Sequence, residues 1–466
     1  MAFRHKDCLL MDLVGSAQEP ATRTCGIAPS FCTKSRYRSL DGTCNHLENP
    51  GLGIPQTPYK RVSQFARSVK GGPLPNVREI SLVAFPDKPL VDPKWNLNAQ
   101  QWGQIITHDM SLTAGVAQSH KDPLVCCDDS GQLAADAYSN PQCAPIIIPP
   151  TDRVNAPRGT QCMNFVRTAS TRDRGCTPQD TPAQPNRLIY PGAQGYITDY
   201  NPEVDPSVLD EHATAAFRHF HTLIRGFLDL ITEDRTVAGF ARMSDWFNRP
   251  LLIEVDNIFD KLTRGLTTQA QGFSDQFWDS EITQFLFRRN NTFGGDLRAT
   301  DIQRGRDHGL GSYVATRAAC GLPVPKTFYE MTDFIAKENV DLLATLYEHV
   351  EDVDLVVGGS LEVNVIGAQA GPTFLCILTE QFYRTRVGDR YFYETGDPDI
   401  AFTPSQLQSI RHGASMARIL CDNADNIRYM QPRAFELIST GNRPVLCEQL
   451  PAIDLNLWQD HGGAYV

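Results

Sequence analysis

The sequence predicts a mostly α-helical protein, one large domain with irregular disulfide-pinned loops and little β-structure. Three observations carry that expectation. Apolar residues recur at steps of three and four through many separate stretches, the spacing of a buried helix face. Neither an internal repeat nor a strand-rich region occurs. The 466 residues are enough to bury a sizeable core.

Residues 1–36 read as a poorly specified leader. Their one apolar run, Cys8 to Val14, is broken by Asp12 and is too short for a signal-peptide core. From Tyr37 to Pro75 the chain is rich in Gly, Pro, Asn and Ser, with turn signals at Asp41-Gly42 and Asn49-Pro50-Gly51, so it should wrap the surface. Asn96 to Leu112 predicts a helix that packs through Trp102, Ile105, Ile106 and Met110, with His108 beside them. Asp122 to Gln184 is polar and Pro-rich and holds Cys126, Cys127, Cys143, Cys162 and Cys176, an excursion pinned by disulfides.

Asp205 to Leu230 is the stretch around which the rest is organised. Asp205 can cap the first turn, Pro206 suits the first helical position, and Leu209, Ala213, Ala216, Phe220, Ile224 and Phe227 describe one face. His221 stands beside that face, and Arg218, three residues earlier, points the same way. An imidazole and a guanidinium aimed into apolar surroundings suit a buried anionic cofactor such as a haem, whose iron takes the one and whose propionates take the other. Taken alone, the pattern also describes a hydrogen-bonded core histidine, and His212 and His219 compete in the same helix.

Leu251 to Leu266 and Glu281 to Arg289 are amphipathic. Asp301 to Gly309, D-I-Q-R-G-R-D-H-G, is a dense charged cluster between apolar flanks, which suggests a buried ion network rather than a solvated loop. Residues 326–460 alternate helical patterns at Thr332–Val350, Leu375–Arg386 and Pro404–Cys421 with turns such as Gly358-Gly359 and Gly388-Asp389.

A net charge of -11 offers no basic footprint for nucleic acid. No run of about eighteen apolar residues could span a membrane as a helix. Thirteen cysteines point to an oxidising compartment, and the odd count leaves at least one unpaired or paired between chains. Asn290-Asn291-Thr292 is a glycan acceptor pattern.

A peroxidase needs one imidazole bound to iron and a second, unligated, to move the peroxide proton. Q-W-G-Q-I-I-T-H-D at 101–109 resembles the distal helix of the animal haem peroxidases, and A-F-R-H-F-H-T-L-I at 216–224 resembles their proximal helix. Q-R-G-R-D-H-G at 303–309 is similar to their downstream signature, and further agreement lies at 37–44, 162–167, 354–359 and 419–423. The resemblance spans about Tyr37 to Trp458, leaving 459–466 as a tail, and is nearest to the arthropod branch with its peroxinectins. It implies His221 as axial iron ligand, His108 as distal acid–base residue and Gln104 as a distal hydrogen-bonding side chain. It places Arg304, helped by Arg218, on the propionates, Asp301 on the other nitrogen of the proximal imidazole, and Asp109 in a calcium site. The resemblance implies a secreted enzyme that reduces hydrogen peroxide, oxidises phenols or halides, and serves the response to oxidative stress.

The chain also departs from that family. Thr107 stands where many members carry an aspartate esterified to haem, so haem b would be held non-covalently there. Phe220 replaces the glycine before the proximal histidine, either tilting the ring or filling space. At Gln184–Pro185 a block is missing that in the family holds the other calcium ligands, the distal arginine and a second ester-forming glutamate. A single retained ligand falls far short of the roughly six to eight oxygens calcium takes. Two origins stay open, an incomplete form of an active enzyme or a true variant, and the second predicts a haem-binding or adhesive pseudoenzyme.

Overall fold

The computed structural model describes residues 31–40, 42–52, 59–111, 113, 124–170, 201, 203–247, 249–289 and 291–459. The leader before residue 31, Cys176, the Gln184–Pro185 junction, the acceptor Asn290 and the tail from residue 460 lie outside the described residues. In chain order the first helices are α1 Val77–Ala84, α2 Leu97–Met110, α3 Met243–Trp246, α4 Ile258–Thr268, α5 Ser280–Thr283 and α6 Leu297–His308. They are followed by α7 Tyr313–Ala319, α8 Lys337–Leu346, α9 Leu355–Leu361, α10 Pro372–Val387, α11 Pro404–Gly413 and α12 Met416–Asn423. Strands β1 Val91–Asn96, β2 Ile146–Ile147, β3 Cys162–Met163, β4 Phe227–Ile231, β5 Val237–Arg242, β6 Ala270–Gly272, β7 Tyr429–Met430 and β8 Val445–Leu446 form only two-stranded antiparallel sheets, paired β1–β6, β2–β3, β4–β5 and β7–β8.

Helix α6 is central, and local chemistry fixes both of its ends. The Asp296 side chain accepts from the Ala299 amide at the start, and Gly309 closes the helix at φ 66°. A side chain at Gly309 would lie 2.4 Å from the Ser63 hydroxyl, so the strap at 59–75 can run against the helix only past a glycine. Val62 and Ala66 amides donate to the His308 and Arg306 carbonyls, which makes the strap the surface wrapping its composition predicts. The charged cluster is this helix, and it is buried. Arg306 forks onto Asp354 at 2.9 and 2.7 Å, and Asp307 accepts from Arg167 and the Thr168 amide. Ile80, Phe85, Trp278, Ile302, Tyr313, Val357 and Phe374 form the main core around it. A smaller core of Ala417, Ile427, Met430, Ala434 and Leu450 is pinned by Cys421–Cys447.

The excursion is pinned as expected, by Cys126–Cys143 and Cys127–Cys162. Several helices are shorter than their patterns. The stretch from Leu251 breaks into a 3₁₀ turn Pro250–Glu254 and α4, with Asp256 at φ 49° between them. Glu281–Arg289 is helical only through Thr283; Gln284 leaves the helix at φ -131°, and Phe287 and Arg289 beyond it adopt φ of 57° and 54°. Of the stretch Thr332–Val350, α8 takes Lys337–Leu346. Pro404–Cys421 splits at Ala414 into two helices, the first begun by a Thr403–Gln406 capping box and the second capped by Ser415.

Candidate active site

The segment carrying His221 is not the continuous helix that its pattern predicts. The Asp205 carboxylate accepts from the Ser207 amide in a local turn, and the Leu209 amide goes to Gln381. Helical structure starts at Asp210, widens to a π turn over His212–Ala216 and tightens to 3₁₀ over Phe217–Leu223. Arg218 Nε donates to the Ala213 carbonyl at 3.0 Å, inside the widened turn. The chain then extends at Ile224, passes Gly226, where a side chain would strike Glu281 at 2.3 Å, and begins β4 at Phe227. The segment is buried on every side, so the one-faced pattern misjudged its surroundings.

Within it, His221 is buried and its Nδ1 lies 2.9 Å from Asp301 Oδ2 on α6. Burial pushes the Asp301 carboxyl up, but His221, Arg218 and Arg304 outweigh that and hold it below the usual carboxylate range. An ionised carboxylate only accepts, so Nδ1 is the nitrogen that donates to it and Nε2 is the ring nitrogen left for another partner. The ring stands edge-on to Trp278 at 5.7 Å and to Phe217 at 6.3 Å between ring centres.

Arg218 and Arg304 converge beside this pair. Arg218 Nη1 is 3.6 Å from Asp301 Oδ1, and both guanidiniums reach the Thr113 hydroxyl. Arg304 Nε is buried with no partner. Burial, reinforced by Arg218, pushes the Arg304 pKa down to about 9. Two cations thus share one hydroxyl and a carboxylate already engaged by His221, a charge excess that an anionic ligand would relieve.

His108 faces this arrangement from α2. Its ring lies 6.5 Å from Phe217, so both histidines neighbour one phenyl ring and their centres are no further apart than 6.5 and 6.3 Å laid end to end. Partial burial lowers the His108 pKa, and the charges of Arg218 and Arg304 lower it further. One turn earlier the Gln104 amide oxygen accepts from Gln100 at 2.8 Å. The Thr107 hydroxyl bonds back to the Gly103 carbonyl at 2.7 Å. Asp109 is exposed, and the described residues contain no group of three or more His, Cys, Asp or Glu able to hold a metal ion. The expected packing face of α2 is instead largely open, with Trp102 39% and Ile105 58% exposed. Trp102 still meets the Phe435 ring, with centres 6.3 Å apart.

The competing histidines have other surroundings. His212 lies between Phe217 and Phe382, buried, with both nitrogens unpartnered and its pKa pushed by burial down to about 4. His219 bonds Ser274, and His308 bonds Asp210 at 3.1 Å, a local role. Phe220 fills space against the main core and contacts His219. Thr113 and Trp278 escaped the sequence reading because neither belongs to a periodic pattern or a signature.

The family described as animal haem peroxidase matches residues 37–189 and 180–435, and the chain belongs to it. A Drosophila melanogaster protein named Peroxidase is 39% identical, with 94% of this chain and 85% of that one covered; the alignment runs over 585 residues. The chorion peroxidase of the same fly is 26% identical, covering 92% of this chain and 72% of its own length. Among solved structures, peroxidase A from Dictyostelium discoideum superposes with a TM-score of 0.66 at 21% identity, over 86% of this chain and 100% of that one, a likeness of fold. By family the chain is an oxidoreductase of the peroxidase type, and haem is the cofactor the family implies. The residues fit that group: an imidazole with its free nitrogen fixed by a carboxylate, next to two under-neutralised guanidiniums.

Proposed function

We propose that this chain binds haem b through His221 Nε2, with Arg304 and Arg218 on the propionates, and reduces hydrogen peroxide while oxidising small donors such as phenols or halides. The observation that carries the reading is the His221–Asp301 hydrogen bond, which occupies Nδ1 and leaves Nε2 as the nitrogen for iron, beside the paired arginines. When bound, haem supplies the redox chemistry. Thr107 makes no ester, so nothing at this position ties the haem covalently. His108 takes a proton from the peroxide oxygen that approaches the cofactor and returns it to the oxygen that leaves. Its lowered pKa favours the neutral imidazole, the form that can accept a proton. Gln104 lies on the same helix as a further hydrogen-bonding side chain, and no calcium ion is assigned to Asp109. The five disulfides among the described residues fit an extracellular setting, and removal of peroxide would serve the response to oxidative stress.

A second reading, a haem-binding or adhesive pseudoenzyme, draws on the open face of α2 and on a 585-residue alignment longer than the 466-residue chain. Haem titration followed by peroxide and a phenol distinguishes the two. The enzyme reading predicts a Soret band and donor oxidation, with His108→Ala keeping the band and losing at least about a hundredfold in rate. A band without turnover in the native protein selects the haem-binding pseudoenzyme, and no band at all rejects every haem-binding form and leaves only the adhesive one.

A further inference from the structure

The indole of Trp278 is fully buried and edge-on to the His221 imidazole, with ring centres 5.7 Å apart at 81°. If peroxide delivers oxidising equivalents beside His221, this indole is a ready internal electron donor. Two features oppose its oxidation. The Arg298 guanidinium lies 3.8 Å from the Phe85 ring centre and 4.9 Å from that of Trp278. Its Nη2 donates to the Val356 carbonyl, while Nε and Nη1 are buried without partners, so much of its charge faces aromatic rings. Burial pushes its pKa down to about 10, which leaves it cationic at neutral pH. A cation is attracted to a neutral π face, and the attraction turns to repulsion once the ring loses an electron. Asp301 acts in the opposite sense, but His221 and Arg218 already draw on its charge. The second feature is Trp278 Nε1, buried and without a partner, so no acceptor stands ready for the proton whose loss would give a neutral radical.

We propose that Arg298 is an electrostatic guard that keeps Trp278 reduced, so that electrons are drawn from external donors rather than from the protein on the His221 side. The inference rests on the haem site proposed at His221. The step it suppresses moves one electron from the indole to the oxidising equivalent supplied by peroxide, leaving an indole cation radical that retains its Nε1 proton.

Arg298→Met removes the charge and Arg298→Lys keeps it. Haem-free protein irradiated in the near ultraviolet in air is digested, and oxidation of Trp278 is quantified by mass spectrometry against the other members of the five tryptophans. The guard predicts several-fold more Trp278 oxidation in Arg298→Met than in the native protein, with Arg298→Lys close to native. Equal oxidation in both variants, or no rise in Arg298→Met, overturns it. Haem-loaded protein treated with peroxide should give the same order. Failure to load haem counts against the haem site alone, since the irradiated samples still decide the guard. If Arg298→Met shows no cooperative melt, Arg298→Gln takes its place.

Discussion

At the scale of single residues, the His221–Asp301 contact sets what the imidazole can do. A carboxylate 2.9 Å from Nδ1 makes the ring a stronger donor through Nε2 and favours the oxidised metal more than a neutral amide would. Asp301→Asn is therefore expected to raise the reduction potential of the haem-loaded protein, by about 60 mV for each 1.4 kcal/mol of lost stabilisation of the oxidised form. Redox titration of both proteins measures it, and an unchanged potential would remove the carboxylate from the account. The same substitution leaves Arg218 and Arg304 without their shared counter-charge, so some loss of thermal stability should accompany it.

At the scale of elements, the segment from Asp210 to Leu223 is the least ordinary part of the fold, and His212 shows how it is held. Both of its ring nitrogens are buried without partners, and its pKa falls from 6.5 to about 4, so the folded protein binds it neutral. The unfolded chain binds a proton there below about pH 6.5. As pH falls from 6.5 to 4 the unfolded state therefore gains protons that the folded state refuses, and stability drops by up to about 3 kcal/mol. Chemical denaturation at pH 7.0 and 4.5 should show a smaller acid loss in His212→Phe than in the native protein; equal losses would place the acid sensitivity elsewhere. The sequence conveyed this element only in part. Signature spacing singled out His221, Arg218 and Asp301, whose meeting depends on residue identities at fixed places in two segments. The helix bounds were not legible, because burial on all sides erases periodicity and the chain leaves the helix at Ile224 for β4, where the Gly226 amide donates to Asp279. For α2 the opposite holds: the helix was legible from spacing, while the exposure of its apolar face was not, since spacing says which residues share a face and not whether anything covers it.

At the scale of the whole molecule, that uncovered face and the junction at Gln184–Pro185 belong to one question. Trp102, Ile105 and His108 lie on an α2 surface open to solvent, beside apolar groups that a complete pocket would enclose. The family match falls in two pieces that meet at 180–189, and the alignment with the Drosophila peroxidase is longer than this chain. We propose that a block present in relatives is missing here, and with it the cation that would stabilise charge on the departing peroxide oxygen. Preorganised stabilisation of this kind carries about 3 kcal/mol, or roughly a hundredfold in rate. Inserting between Gln184 and Pro185 the segment that the Drosophila relative carries at that place should raise the rate of peroxide reduction by about that factor. It should also slow hydrogen exchange in α2 by covering Ile105. Stopped-flow kinetics and exchange mass spectrometry read the two effects separately. A protected α2 without faster chemistry would assign the block to enclosure alone, whereas neither change would show that this chain closes its site by other means.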